Sequence, residues 1–225
     1  MVLGMKVLVT AGPTREYIDP VRFLSNRSSG KMGYAIAAEA QRRGHDVRLV
    51  SGPVSLSVPH AVDCVQVVSA QDMLEAVLHA LSWADVLVMC AAVADWRPQQ
   101  VASQKCKKDQ MASTLQLERT ADILEAVRAA RRVDQLVIGF AAETEAVVAH
   151  AKEKLARKGL DLIVANDVSR SDAGFGVDTN VVTLIDTSGP PKELPLLSKQ
   201  EVAKNLLAWI ETHAARSPVD AERFS

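Results

Sequence analysis

Long apolar runs, paired cysteines and a surplus of either charge are all missing from this chain, and each absence removes a class of protein. Lysine and arginine number 26 against 27 aspartates and glutamates. No overall field therefore holds the chain on nucleic acid or on anionic lipid, and neither partner is expected. No apolar stretch is long enough to span a bilayer, and the start MVLGMKVLVT lacks the separate charged region, apolar core and cleavage site of a secretory signal. The expected location is the cytoplasm. The three cysteines, Cys64, Cys90 and Cys106, are odd in number, scattered and free of CxxC spacing, which disfavours both a disulfide framework and a thiolate zinc site. Cys90 lies in an apolar run with no histidine close in sequence, a poor setting for a nucleophile. Repeats and low-complexity segments are also missing.

What is present is a chain of 225 residues, 48% of them hydrophobic, enough for one large domain with its own core. Short runs rich in Val, Ile and Leu alternate with segments of helical period. That is the pattern of βαβ units whose parallel sheet is covered on both faces, so the expected fold is α/β, a Rossmann-like doubly wound sheet. The runs Met5–Thr10, Val47–Ser51, Val62–Val68, Ala84–Ala91, Leu136–Phe140 and Leu160–Ala165 read as doubly buried strands. Gly30–Gly44, Gln71–Ser82, Ala121–Arg131 and Thr144–Gly159 read as the covering helices. After Asn166 a segment rich in Gly and Asp precedes Val181–Asp186, a turn at Ser188-Gly189-Pro190-Pro191 and Glu193–Leu197, a C-terminal β-hairpin extension. Ser198–His213 reads as a last helix, with Ser198 and Glu201 in capping-box spacing. One domain over 1–213 is expected: a core at 5–168, the strand extension at 169–197, the helix at 198–213, then a frayed tail at 214–225. Arg97–Leu115, polar, interrupted by Pro98 and cationic in its middle, reads as a flap rather than a strand.

Open α/β sheets bind ligands beyond the carboxyl ends of their strands, and polar clusters recur there. The first strand runs into Thr10-Ala11-Gly12-Pro13-Thr14-Arg15, and Ser25-Asn26-Arg27-Ser28-Ser29-Gly30-Lys31-Met32-Gly33 leads straight into a helix. Free backbone N–H groups at that helix start, with hydroxyls and Lys31, suit an anion. This is neither GxGxxG nor the phosphate loop, because Met32 follows Lys31 where Ser or Thr would stand. The bland alternative is a Gly-rich turn that lets a helix pack close to the sheet. Between Gly12 and Gly30 an insert offers Arg22 and Asn26, a guanidinium and a carboxamide suited to a phosphate and a polar acyl group. The fourth strand ends Met89-Cys90-Ala91-Ala92-Val93-Ala94-Asp95. Small residues there admit a flat ring, and Asp95 suits Mg²⁺ or a ribose hydroxyl. Lys105-Cys106-Lys107-Lys108 follows, then Phe140 at the fifth strand's end, Lys154 and Lys158 one helical turn apart, and Asn166 closing the sixth strand.

Read together, VTAGPTRE, DPVRFLSNRSSGKMG, CAAVADW, KCKK, GFAAET and LIVANDV resemble the phosphopantothenoylcysteine synthetase family, in order and over roughly residues 5 to 212. The resemblance implies a bacterial-type ligase that activates 4'-phosphopantothenate with CTP and Mg²⁺ to an acyl-cytidylate, then couples it to L-cysteine. It implies Asn26 as the residue orienting the acyl-cytidylate, Arg22 at the phosphopantothenate end and Lys105 stabilising the attacked phosphorus. Gly12, Ser28, Ser29, Gly30, Met89, Cys90, Ala91, Asp95, Arg119, Thr120, Ala121, Phe140, Lys154 and Lys158 fall to the nucleotide. Asn166 falls to the substrate and Asp95 to Mg²⁺. Glu118-Arg119-Thr120-Ala121-Asp122 departs from the KNPD-like segment of many relatives, and arginine replaces a lysine's charge but not its shape. The resemblance further implies a homodimer, with the segment after Asn166 as a candidate interface, and fusion to or association with a flavin-dependent phosphopantothenoylcysteine decarboxylase.

Two other readings of the residues are an NAD(P)-dependent reductase and a non-catalytic nucleotide-binding module. The first calls for a tight GxGxxG with an acidic residue about twenty positions on, and for a Tyr-x-x-x-Lys pair. None is in register here, since neither Tyr17 nor Tyr34 has a lysine four residues later. The second would be favoured by loss of Asn26 or Lys105, and both are present.

Overall fold

The computed structural model describes residues 4–107, 114–143, 145–167, 172, 174 and 176–214. The expected tail beyond Ala214, Lys108 of KCKK, Thr144 at the start of one expected helix and much of the stretch after Asp167 lie outside the described residues.

Eight strands form one sheet: β1 (Lys6–Ala11), β4 (Asp46–Ser51), β5 (Asp63–Gln66), β6 (Val86–Met89), β9 (Leu136–Glu143), β10 (Leu162–Asp167), β12 (Val182–Asp186) and β13 (Lys192–Glu193). Their spatial order is β13-β12-β10-β9-β6-β1-β4-β5. The run from β10 to β5 is parallel throughout, and β12 and β13 add an antiparallel hairpin at one edge. The fold is α/β, as the alternation of apolar runs and helical periods implies. The chain leaves β1 toward β4 and returns to β6 on its other side. The reversal therefore falls between the carboxyl ends of β1 and β6, the position where doubly wound sheets open a crevice.

Helices cover both faces. On one, α1 (Lys31–Arg42) and α5 (Lys199–Ala214) pack Ile36, Ala37, Leu206, Leu207 and Ile210 over Val7, Val9, Val88, Ile138, Leu162 and Val164. On the other, α2 (Ala70–Leu81), α3 (Ile123–Ala130) and α4 (Val147–Lys158) pack Met73, Val77, Val127 and Leu155 over Leu8, Leu87, Val137 and Ile163. Successive strand residues serve opposite cores, which is why the strands read as unbroken apolar runs. Each such side chain stabilises the fold by about 1.5–3 kcal/mol when fully buried. Strand β5 is the exception. It is an edge, mostly exposed, and is shorter than the apolar run that suggested it.

Two ribbons were not legible as strands. The insert after β1 contains the hairpin β2 (Arg15–Tyr17) and β3 (Phe23–Ser25), closed by an edge contact between Tyr17 and Phe23 and by Arg15 over the Phe23 ring at 4.6 Å. The region read as a flap starts in β7 (Trp96–Pro98), which pairs with β8 (Leu117–Arg119). Pro98 is tolerated because a two-stranded ribbon leaves one side of each strand unpaired. A last short pair, β11 (Thr179–Asn180) with β14 (Leu197–Ser198), precedes α5. Ser198 and Glu201 form the expected reciprocal cap, with Ser198 N–H donating to Glu201 at 2.9 Å and Glu201 N–H to Ser198 Oγ at 3.2 Å.

Gly33 explains why α1 can lie on β1. A Cβ there would stand 2.5 Å from the Ala11 Cβ and 2.9 Å from the Thr10 carbonyl. Past the strand ends the loops stay tied: Ala92 N–H donates to Gly12 O at 2.9 Å, and Pro13 bridges Ala92.

Candidate active site

A cavity of about 1090 Å³ opens along the carboxyl edge of β6, β9 and β10. Asn26, Ser28, Ser29 and Gly30 line one wall, Met89, Cys90, Ala91, Phe140 and Asn166 the floor, and Asp95, Arg119, Thr120, Ala121, Lys154 and Lys158 the far wall. Fifteen of the eighteen residues singled out from the sequence thus meet in one space. Gly12, Arg22 and Lys105 are not among its lining residues.

Their positions have physical reasons. Gly12, with φ of 78°, is packed under the wall, where a Cβ would meet Gly52 O and Val54 at 3.0 Å. It lets the loops after β1 and β4 close on each other. Arg22 lies in the insert, its guanidinium 3.4 Å from Asp19 and donating to the Cys106 carbonyl at 2.5 Å. Lys105 is exposed beside that anchor.

The strand ends are held by side chains from β1 and from the loop that follows it. Thr10 Oγ1 accepts the N–H of both Cys90 and Ala91 at 3.1 Å, and Thr14 Oγ1 accepts that of Ala94 at 3.0 Å. Asn26 donates to Ala92 O at 3.0 Å and Val93 O at 3.3 Å, so the wall and the floor are joined through its carboxamide. Thr120 ties the opposite side, its hydroxyl donating to Ala94 O at 2.6 Å and its N–H to Asp95 O at 3.0 Å. The helix α3 starts at Asp122, whose side chain accepts the Glu125 N–H at 3.1 Å. Thr120 and Ala121, expected near or within that helix, are therefore free to line the cavity as a loop.

Alternation along the strands divides the cavity into two arms. Cys90, Phe140 and Asn166 face the α1/α5 side, and Lys154, Arg157 and Lys158 come from α4 on the other. Lys154 reaches over the sheet edge to donate to Phe140 O at 2.9 Å. Lys158 pairs with Asp122. Burial alone would raise the Asp122 carboxyl, but the Lys158 ammonium and backbone N–H bonds outweigh it and hold the group below its ordinary range.

Cys90 is no nucleophile in waiting. Its thiol packs against the α1/α5 core, and burial pushes its pKa up to about 12, whereas a reactive cysteine needs the thiolate.

On the α1/α5 side the cavity contains residues that sequence reasoning did not assign: Lys199, Asn180 and Gly174. Lys199 is 5% exposed, and its ammonium donates to Asn180 Oδ1 at 2.7 Å, Gly174 O at 3.1 Å and Thr179 O at 3.3 Å. A signal did exist. Lys199 opens α5, and a cation in the first turn of a helix opposes the macrodipole, so its placement calls for a reason other than helix stability. Nearby, Lys31 pairs with Asp178 at 2.6 Å.

Among the described residues no group of three His, Cys, Asp or Glu side chains is placed to hold a metal ion, and no helix is long and apolar enough to cross a membrane.

Comparison with known proteins agrees with the geometry. The coenzyme A biosynthesis bifunctional protein CoaBC of Bacillus subtilis (strain 168) is 48% identical over 221 residues, covering 98% of this chain and 53% of the relative. That of Escherichia coli (strain K12) is 46% identical over 211 residues, 92% of this chain and 52% of the relative. The chain thus spans about half the length of these curated relatives. Among solved structures, the C-terminal domain of a coenzyme A biosynthesis bifunctional protein CoaBC superposes with a TM-score of 0.81 at 48% identity, covering 94% of this chain and 96% of that one. With a family model matched across residues 2–213, the chain belongs to the DNA/pantothenate metabolism flavoprotein C-terminal domain family.

Proposed function

We propose that this chain is a phosphopantothenate–cysteine ligase acting in coenzyme A synthesis, with CTP as the activating nucleotide. The observation that carries the reading is the meeting of Asn26, Asp95, Phe140, Lys154 and Lys158 in one two-armed cavity at the sheet's carboxyl edge. The names of its bifunctional relatives support it.

The chemistry runs in two balanced steps. In the first, a carboxylate oxygen of 4'-phosphopantothenate attacks the α-phosphorus of CTP. The bond to the bridging oxygen breaks, and pyrophosphate leaves from an acyl-cytidylate. In the second, the amine of L-cysteine attacks the acyl carbon, the bond to the cytidylate oxygen breaks, CMP leaves, and the nitrogen gives up a proton. No side chain becomes covalently attached, which fits a site whose cysteine is held as a thiol.

The far wall and the floor beside it suit the nucleotide. Lys154 and Lys158 supply charge for phosphates, and the Met89–Ala91 backbone, fixed by Thr10, presents small residues to a ring. Lys105 acts electrostatically on the reacting phosphorus when the segment carrying it closes over the cavity. Asn26 orients the acyl-cytidylate. Asp95, in the cavity lining, would be the side chain that holds Mg²⁺, and the ion would supply charge neutralisation at the phosphates. Among the described residues no group of three metal-ligating side chains gathers there, which fits an ion that commonly keeps several waters and the substrate's phosphates as ligands. The reading includes a homodimer with the segment after Asn166 as candidate interface, a cytoplasmic setting, and a fused or associated phosphopantothenoylcysteine decarboxylase.

The test follows pyrophosphate release from 4'-phosphopantothenate with CTP or ATP, cysteine omitted. Release with CTP is expected, lost in Lys105→Gln and kept in Asn26→Asp, whose intermediate is poorly retained or poorly converted. Release with ATP alone overturns the nucleotide assignment, and release with neither overturns the function.

A further inference from the structure

We infer that Lys199, Asn166 and Asn180 form the subsite for the amino acid that enters in the second step, Lys199 holding its carboxylate and Asn166 its amine. This rests on the ligase reading and names the part of the cavity that serves the incoming nucleophile.

Two independent observations meet at one place. Lys199 is a buried cation whose three donors are all spent on neutral acceptors, two main-chain carbonyls and one carboxamide. Among the described residues no carboxylate lies within ion-pair distance of it. Asp178, the acidic residue that most raises its pKa, is paired with Lys31 instead. Burial is the largest influence on the ammonium and pulls its pKa down, and the Lys31 charge adds to that, so an anion arriving beside it would find undercompensated charge.

Asn166 supplies the second observation. It is 7% exposed and lines the cavity, and its Oδ1 is a buried acceptor with no hydrogen-bond partner. Such an orphan is destabilising unless something donates to it. Residues 162, 164 and 166 share the α1/α5 face of β10, the first two within that core, so Asn166 looks into the same arm as Lys199.

Charge complementarity selects the ligand. A phosphate offers acceptors only and would leave Asn166 Oδ1 facing another oxygen. The nucleotide's cations stand across the sheet on α4. An α-amino acid carries both an anion for Lys199 and N–H donors for Asn166. A donated hydrogen bond from the amine leaves its lone pair free to reach an acyl carbon. The carboxylate would replace the longest of the three Lys199 contacts, that to the Thr179 carbonyl at 3.3 Å.

The experiment compares cysteine with cysteamine, which keeps the amine and thiol but lacks the carboxylate, as acceptors in the complete CTP-dependent reaction. The full chain is expected to favour cysteine in kcat/KM by about tenfold or more, the range of one hydrogen bond to a charged group. In Lys199→Gln that preference should fall toward one. The ratio is taken within a single preparation, so it is independent of the fraction correctly folded. Asn166→Ala should slow both acceptors alike by about tenfold while the ratio stays. Equal use of the two acceptors by the unaltered chain overturns the inference, as does an unchanged preference in Lys199→Gln or unaltered turnover of both acceptors in Asn166→Ala. If pyrophosphate release without any acceptor is itself missing, the ligase reading fails first and the inference with it.

Discussion

Arg22 and Cys106 are 84 residues apart in the chain, yet the Arg22 guanidinium donates to the Cys106 carbonyl at 2.5 Å. Asp19 completes the clamp, accepting the Cys106 N–H at 3.2 Å and pairing with Arg22. The backbone of Cys106, next to Lys105, is therefore held at both its N–H and its carbonyl by the insert after β1. Burial alone would raise the Asp19 carboxyl, but N–H bonds from Val21, Arg22 and Cys106 hold it below its ordinary range, so it remains an acceptor at neutral pH.

This arrangement gives Arg22 a role separable from ligand binding. Arg22→Gln should loosen the segment at Lys105 and Lys107, raising the rate of tryptic cleavage there about tenfold, as expected for losing one charge-assisted hydrogen bond. Pyrophosphate release should slow with it. A raised KM for 4'-phosphopantothenate with unchanged cleavage would instead assign Arg22 to the ligand alone.

Asp122 and Lys158 compete with the nucleotide for the same charge. Asp122 caps α3 and also pairs with Lys158 at the cavity wall, so bound phosphate must share or displace that carboxylate. Asn caps as well as Asp, and Asp122→Asn keeps the cap while releasing the lysine. The expected result is a KM for CTP lower by about two- to fivefold, the range of one partly exposed ion pair, with the thermal midpoint little changed. A higher KM would mean that Asp122 positions Lys158 for the phosphate rather than shielding it.

The core strands and helices were legible because burial on both faces writes itself as consecutive apolar residues, as in Leu8-Val9 or Leu162-Ile163-Val164. The ribbons β2/β3 and β7/β8 were not, since three-residue strands owe their pairing to cross-strand contacts such as Arg97 with Glu118 at 2.7 Å and Arg119 over Trp96. Those partners are known only once the chain has folded back. The nucleotide wall could be read because its residues close strands or follow them directly. Lys199 was hidden by its helix: a lysine after a cap reads as surface, and only β11, folded against β14, brings Asn180 to its ammonium.

Acid should weaken the joint between α1 and α5. Glu39 is 7% exposed and accepts from Arg42 at 2.7 Å and from Arg43 at 2.8 Å, while Arg43 also reaches Glu211 and the Lys204 carbonyl on α5. The Arg42 hydrogen bond is the largest influence, and with Arg43 it outweighs burial to bring Glu39 from 4.5 down to about 2. A carboxyl lowered by folding stabilises fully above its unfolded value, and that contribution is lost as pH falls through the folded one. Midpoints of denaturant unfolding should therefore decline between pH 4.5 and 2, and less steeply in Glu39→Gln. Parallel curves would show that the acid sensitivity lies elsewhere.

Thr10 is the most economical place to test whether the floor of the cavity is built or incidental. It is fully buried at the end of β1, and one hydroxyl oxygen accepts the N–H groups of both Cys90 and Ala91. Valine matches its shape but offers no acceptor, so Thr10→Val leaves two enclosed N–H groups without their partner. The cost is about 2 kcal/mol or more, visible as a lower guanidinium midpoint at unchanged slope. The same backbone turn faces the nucleotide arm, so KM for CTP should rise in parallel, and Thr10→Ser should restore both because it returns the oxygen. If Thr10→Val lost stability but kept its KM, the turn at Met89–Ala91 would be structural only, and the nucleotide would have to be recognised from the α4 wall.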